Sequence, residues 1–307
     1  MDLSVVMAVY NGENYIKEAI DSVLSQSYTD FEFIIVNDGS TDNTLSIIES
    51  YSDPRIKVIS HENVGHAKSL NIGIKASKGK YIARLDADDR CLEERFSMQM
   101  DFISSHPEVV LLGANANIID NDGNFLYKSQ LSQIIDKAEI FEDYNPFISS
   151  SVIFKTDIYL KCGGYNEDII HHFEDKLLWA KIFHHGKIVN LNEVLIDYRL
   201  TPNSASNKTK KLYRKQKEIS NAYLTGKSLK KTELDHFLSL TQLSSRKKRS
   251  LYYNRIASIY LRQHKNRKLA LKNLLLAFKA QPFNFGTLKL TIYSFFVGQT
   301  SKNQNIQ

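Results

Sequence analysis

Residues 1–206 predict an α/β fold on a mostly parallel central sheet, and residues 207–307 predict a basic, α-helical C-terminal region. Three observations carry this. Through residue 90, short β-branched runs alternate with segments whose apolar residues recur three and four apart, the rhythm of strand–helix crossovers. The runs end in polar clusters, where ligands of such sheets bind. The charge also reverses along the chain: residues 1–207 carry 18 Lys and Arg against 31 Asp and Glu, and residues 208–307 carry 22 against 3. That reversal predicts two units facing different partners.

The elements follow in order. Residues 3–9 (LSVVMAV) are apolar, β-branched and short enough for a buried strand. Tyr15, Ile16, Ala19, Ile20, Val23 and Leu24 then fall at helical spacing. Residues 31–36 make a second strand, and Asn37-Asp38-Gly39-Ser40-Thr41-Asp42 a loop and helix start capped at Ser40 or Thr41. A helix carrying Leu45, Ile47 and Ile48 follows, then a strand over 56–59, a helix over 67–76 and a strand over 81–85. The last strand ends in Asp86-Ala87-Asp88-Asp89, with a helix predicted from near Cys91. Beyond 110 the rhythm changes. Residues 109–114 and 116–119 read as two strands before a turn at Asn121-Asp122-Gly123. Residues 151–154 read as a short strand, Gly163-Gly164-Tyr165 as a turn, 173–183 as a helix and 187–198 as extended. From 206 the chain reads as helical, with breaks near Gly226, Ser244-Ser245, Asn266 and Pro282.

Composition excludes several classes. With 42% hydrophobic and 24% charged residues, the chain is neither fibrous nor wholly disordered. Two cysteines, Cys91 and Cys162, exclude a disulfide scaffold and a multi-cysteine zinc module, and fit a reducing, intracellular location. The apolar start has no basic region before it and runs into Asn11-Gly12, so it reads as a strand and not a secretory signal. Residues 288–297 contain Lys289 and are too short to cross a bilayer. Neither GxGxxG nor GxxxxGK[ST] occurs, which argues against a nicotinamide dehydrogenase or a P-loop NTPase.

Three carboxylates in Asp86-Ala87-Asp88-Asp89 repel one another unless a cation lies among them. Mg²⁺ or Mn²⁺ suits such oxygen ligands and also holds substrate phosphates; the same string also reads as a solvated turn capping a helix. Asp38 is placed to accept a hydrogen bond from a base or ribose, or to close an Asx turn. Tyr10 could stack on a base or edge the core. Lys68 could pair with phosphate or lie on a solvated helix face. Glu174-Asp175 opens a helix containing Trp179, as a general base or as acids favoured by the helix dipole. His171-His172 lack helical metal spacing and read as loop residues.

Together these strings resemble the family 2 glycosyltransferases. The resemblance rests on Ser4-Val5-Val6-Met7-Ala8-Val9-Tyr10-Asn11-Gly12, Ala19-Ile20-Asp21-Ser22-Val23-Leu24-Ser25-Gln26, Asn37-Asp38-Gly39-Ser40-Thr41-Asp42, Gly65-His66-Ala67-Lys68-Ser69-Leu70-Asn71, Ala83-Arg84-Leu85-Asp86-Ala87-Asp88-Asp89, Gly163-Gly164-Tyr165, Glu174-Asp175-Lys176-Leu177-Leu178-Trp179 and Tyr198-Arg199, in that order over residues 2–206. It implies the GT-A fold, with a nucleotide-binding half over about 1–110 and an acceptor half over about 111–206. It implies an inverting transfer from a nucleotide-sugar donor, with UDP as the expected nucleotide, to a glycan or glycolipid acceptor. Ala8, Tyr10 and Asp38 would hold the base, Lys68 would lie near the nucleotide, and Asp86 and Asp88 would occupy the DxD positions for ribose and metal. Asp175 would be the catalytic base, with Asn11, Asp89, Glu174 and Arg199 in support. Ala8 stands where many members have proline. Thr201 stands where many carry a histidine, so the metal shell must be completed without it or with His171 or His172.

The implied role is surface-polysaccharide or cell-envelope glycan biosynthesis in the cytoplasm, with peripheral attachment to the inner face of the membrane. The alternative is a catalytically inactive nucleotide- or sugar-binding module recruiting partners through its tail. The tail lies outside the resemblance. Its charge suits an anionic membrane surface, with Phe283, Phe285, Tyr293, Phe295 and Phe296 as interfacial contacts. Second comes docking on the acidic body or on another copy as a homo-oligomer. Nucleic acid is disfavoured by the acidic body.

Overall fold

The computed structural model describes residues 1–136, 145–167, 174–204, 207, 210–225, 227, 232–233, 236–237, 239 and 242–296. The chain divides into two compact units. The first comprises Met1–Ile118, Tyr127–Tyr198 and Ser220–Ser228; the second comprises Ile119–Leu126, Arg199–Ile219 and Leu229–Gln307.

The first unit begins as four parallel strands: β1 (Leu3–Val9), β2 (Phe31–Asp38), β3 (Ile56–His61) and β4 (Tyr81–Arg84). All seven residues of β1 and all eight of β2 are buried, as central parallel strands covered on both faces must be. Each fully buried Val, Leu or Ile there contributes about 1.5–3 kcal/mol. The helices α1 (Ile16–Leu24), α2 (Thr44–Glu49) and α3 (His66–Ala76) are the crossovers. α1 buries Ile16, Ala19, Ile20 and Val23, the face its spacing predicts. α3 lies close against the sheet because Gly73 has no side chain: a Cβ there would meet Val6 Cγ1 at 2.7 Å and Val36 Cγ2 at 2.9 Å.

After α4 (Arg95–Ser105) the sheet continues antiparallel. Short strands β5 (Arg90–Cys91) and β8 (Ile153–Lys155), and long strands β6 (Val109–Ile119) and β9 (Lys187–Arg199), complete the order β3-β2-β1-β4-β8-β6-β9-β5. β7 (Phe125–Lys128) pairs with β6 off this path. β8 runs antiparallel to both β4 and β6 and joins the two halves. Helices α5 (Thr156–Lys161) and α6 (Glu174–Ile182) follow β8.

Three local expectations differ from the structure. Residues 109–119 form one strand, not two, because buried Asn115 is satisfied: its amide donates to Asn192 O (3.1 Å), and its carbonyl accepts from Ser129 Oγ (2.8 Å) and Leu131 N (2.9 Å). The helix expected from near Cys91 starts at Arg95, because Arg90 and Cys91 pair with Asp197 and Ile196 of β9. The strand expected from 151 starts at Ile153, after a 3₁₀ turn of Ser149–Ser151.

In the second unit the described helices are α7 (Lys210–Leu224), α8 (Ser245–Arg262), α9 (Arg267–Ala280) and α10 (Phe285–Phe296), of which α7 runs on into the first unit from Ser220. They break where Ser244-Ser245, Asn266 and Pro282 predict, and Gly226 lies outside the described residues. Ser244 and Asn266 are N-caps whose side chains accept from Lys247 N and Leu269 N. Buried Tyr252 accepts a hydrogen bond within this unit: the backbone amide of the hairpin residue Asn121 donates to Tyr252 Oη (3.0 Å). Among the described residues no helix is long and apolar enough to cross a membrane.

Candidate active site

The carboxyl ends of β1 and β2 are tied by their loops. Asn11, with φ +52°, donates its amide to Ser40 Oγ (3.0 Å) and accepts Thr41 N at Oδ1 (2.8 Å). Gly12 N donates to Thr44 Oγ1 (2.8 Å), and Glu13 N to Asp42 Oδ2 (3.2 Å). Tyr10, next to this knot, is 53% exposed. A free aromatic face beside a fixed backbone is what stacking on a base requires.

Asp38 is buried at the end of β2. Val64 N donates to its Oδ1 (2.7 Å), Gly65 N donates to its Oδ2 (3.1 Å), and Asn63 Nδ2 donates to its carbonyl (3.0 Å). The carboxylate thus fixes the loop leading into α3, with His61 Nδ1 3.6 Å from its Oδ1. Gly39 permits this approach: its φ is +69°, and a Cβ would lie 2.5 Å from Asn63 N. The Ala8 side chain packs in the core with Val36 and Ala67. Lys68 is exposed on the first turn of α3.

The centre of the site is a residue to which the sequence reading assigned no role. Arg84 ends β4 and is buried. Its Nη2 donates to Asp86 Oδ1 (2.9 Å) and contacts His66 Nε2 (3.0 Å); its Nη1 donates to Asp175 Oδ1. The Tyr165 ring covers the guanidinium, 5.7 Å from its centre. Burial opposes the charge of Arg84, but Asp175 and then Asp86 outweigh it and keep Arg84 firmly protonated. Burial likewise pushes the Asp86 carboxyl up, and Arg84 and His66 more than reverse it, holding it below its ordinary value.

The serine turn locks this arrangement from the other side. Ser149 Oγ donates to Asp175 Oδ2, and Asp86 N donates to Ser150 Oγ (3.2 Å). A second tie joins α3 to the turn after α5: Asn71 Nδ2 donates to Tyr165 O (2.9 Å), and Tyr165 N donates to Asn71 Oδ1 (3.0 Å). Asp86, Asp175 and the start of α3 are therefore brought together, with Glu174 buried beside Asp175 and Asp88 and Asp89 on the same turn as Asp86. Arg199 belongs to the second unit, where it donates to Asn121 O (3.2 Å). His171 and His172 lie outside the described residues. The signal for Arg84 was available: an arginine inside an apolar strand, two residues before an acidic run, must be buried and paired. Nothing local marked His66, Ser149 or Ser150.

One guanidinium set against two carboxylates leaves a negative excess for an incoming group to meet. Among the described residues no cluster of three or more His, Cys, Asp or Glu is placed to enclose a metal. Asp86 and Asp88 on one turn fit a hard cation that takes one or two carboxylates and completes its shell with phosphate oxygens and water.

Comparison with known proteins bears on the family and the fold. Residues 4–162 match the model of "Glycosyl transferase family 2". An uncharacterized glycosyltransferase of Haemophilus influenzae is 32% identical over 252 residues, 77% of this chain and 74% of that one. The O-antigen biosynthesis glycosyltransferase WbnJ of Escherichia coli is 30% identical over 247 residues, 77% of this chain and 92% of that one. The crystal structure of Staphylococcus aureus TarS 1–349 in complex with UDP matches with a TM-score of 0.58 and 19% identity, covering 93% of each chain. The α/β fold is that of the GT-A transferases. The chain belongs to glycosyl transferase family 2.

Proposed function

We propose that the chain transfers a sugar, with inversion, from a uridine diphosphate donor to a hydroxyl of a glycan or lipid-linked acceptor in surface-polysaccharide biosynthesis. The observation that carries this is Arg84 holding Asp86 on one amino group and Asp175 on the other. Inverting displacement at an anomeric carbon needs a base on the acceptor side and, on the other side, positive charge to meet the departing diphosphate, here a cation that the acidic turn would hold. The shared guanidinium fixes the distance between the two carboxylates.

In this reading Tyr10 and Asp38 receive the base, Lys68 lies near the diphosphate, and Asp86 contacts the ribose. Asp175 keeps 16% of its side chain exposed, enough for an acceptor hydroxyl to reach it. It takes the hydroxyl proton as the oxygen attacks the anomeric carbon. Arg84 and Ser149 fix its rotamer, so little reorganisation precedes attack. Asp88, with Asp86, would hold Mn²⁺ or Mg²⁺, which when bound stabilises the charge on the departing diphosphate. Two matches support the donor and the pathway: TarS is seen with UDP, and WbnJ is named for O-antigen biosynthesis.

The test is a titration of uridine, guanosine and thymidine diphosphates with and without Mn²⁺, followed by donor turnover with the matching nucleotide sugars. Metal-assisted binding of UDP with turnover supports the reading. Binding without turnover on any sugar or acceptor fraction favours the inactive binding module, and binding of another nucleotide alone reassigns the donor.

A further inference from the structure

We propose that the second unit docks on an anionic lipid surface through α9 and α10. This is independent of the transfer chemistry above, because no residue it uses belongs to that site.

α10 is turned inside out. Thr287 and Ser294 are fully buried, while Phe285, Leu288, Ile292 and Tyr293 are 79%, 47%, 53% and 45% exposed. At about 100° per residue, Phe285, Leu288, Lys289, Ile292 and Tyr293 form one stripe, and Thr287 and Ser294 lie roughly opposite it. One bond ties the inward face to a neighbouring helix: Asn254 Nδ2 donates to Thr287 Oγ1 (2.9 Å). On the same face Thr291 Oγ1 and Ser294 Oγ are satisfied by the helix's own carbonyls, Thr287 O (2.9 Å) and Thr291 O (2.6 Å). Phe283, just before the helix, is 97% exposed. A soluble protein has no reason to direct its polar helix face inward and its aromatic face outward unless something apolar meets the outer face.

Charge selects the occupant. Residues 236–307 contain no Asp or Glu. α9 buries Ala270, Leu274 and Ala277 and exposes Lys268, Lys272, Leu275 and Lys279, spaced to form a second stripe. The first turn of α8 carries Arg246, Lys247 and Lys248, where the helix dipole disfavours cations. A second copy meeting this surface symmetrically would set cation against cation. An anionic leaflet instead offers charge for the lysines and an interface for the aromatic rings, with the Lys289 stem lying along the apolar stripe and its amine reaching the headgroups.

The test uses the full chain in flotation with vesicles of phosphatidylcholine alone or with phosphatidylglycerol added. Binding is expected only to the anionic vesicles and should fall with salt. Lys268→Gln with Lys272→Gln should lower partition about 30-fold, and Phe285→Ser with Ile292→Ser at least about tenfold. Both variants should keep the parent's thermal midpoint, since the replaced groups are exposed. Equal binding to neutral vesicles, no binding to either, or a dimer lost in the Phe285/Ile292 variant without vesicle binding would overturn the proposal.

Discussion

The strand-end site and the C-terminal helices handle charge in opposite ways. In the first, every carboxylate whose bonds are described meets a donor from the same chain: Asp38 meets the amides of Val64 and Gly65, Asp86 meets Arg84, and Asp175 meets Arg84 and Ser149. In the second, a long basic stretch has no Asp or Glu of its own. A site whose carboxylates are each held by donors of the same chain is rigid and ready for one ligand geometry, with a negative excess left for that ligand to meet. A surface that leaves its charges to an external partner is built for contact with something large and anionic.

Function breaks this comparison most sharply at Asp175. If the carboxylate is the base, Asp175→Asn should lower transfer by about 10²–10⁴-fold while leaving nucleotide affinity unchanged. Measured by transfer assay and nucleotide titration, equal loss of both would make Asp175 a structural partner of Arg84 and no more.

Stability is the next lever. Arg84→Met removes the cation from two carboxylates that remain largely buried. Breaking a buried pair in this way costs about 3–5 kcal/mol, read as a lower urea midpoint, with Asp86 softened by its 26% exposure. An unchanged midpoint would show that the serine turn alone positions α6. The same variant predicts a pH signature. Asp86 is held below its ordinary 3.8, so its ionised form stabilises the fold above that pH. The contribution is lost as pH falls through the lowered value, in acid below about 3.8. In a series of urea midpoints against pH, the acid limb should be shallower for Arg84→Met than for the parent.

These tests bear on what could be read from residues alone. The parallel half was legible because each of its strands and helices is long enough to show a period, and Ile16, Ala19, Ile20 and Val23 are buried as their spacing requires. The antiparallel half was less so: β5 has two residues and β8 three, too few for alternation, and β8 is a strand because β4 and β6 pair with it. The acidic turn and Glu174-Asp175 were visible as strings. Their union was not, because Arg84 and Asp175 are 91 residues apart and only the fold brings them together. The breaks of the helical tail were visible as caps, but the inside-out orientation of α10 was not, since its partners, Asn254 among them, lie on other helices far away in the sequence.

A smaller effect tests the loop that holds Asp38. Gly39→Ala forces an L side chain to φ +69° and sets a Cβ 2.5 Å from a backbone nitrogen. The expected cost is about 1–3 kcal/mol, with weaker nucleotide binding, because the loop of residues 62–65 must move and Asp38 with it. Reduced stability with unchanged nucleotide affinity would remove Asp38 from the binding site.

The smallest effect sharpens the other side of the comparison. Thr287→Val keeps side-chain volume but removes the acceptor for the partly buried Asn254 Nδ2, at a cost of about 0.5–1.5 kcal/mol. If that bond holds the polar face of α10 inward, the valine also makes the buried face as apolar as the exposed one, and the helix loses its preference for which face points out. Thermal stability should then fall slightly, and vesicle partition should fall with it because fewer molecules present Phe285 and Ile292 outward. A drop in stability with full retention of partition would mean that the packing of α10 against α8 and α9, and not the polar bond, sets its orientation.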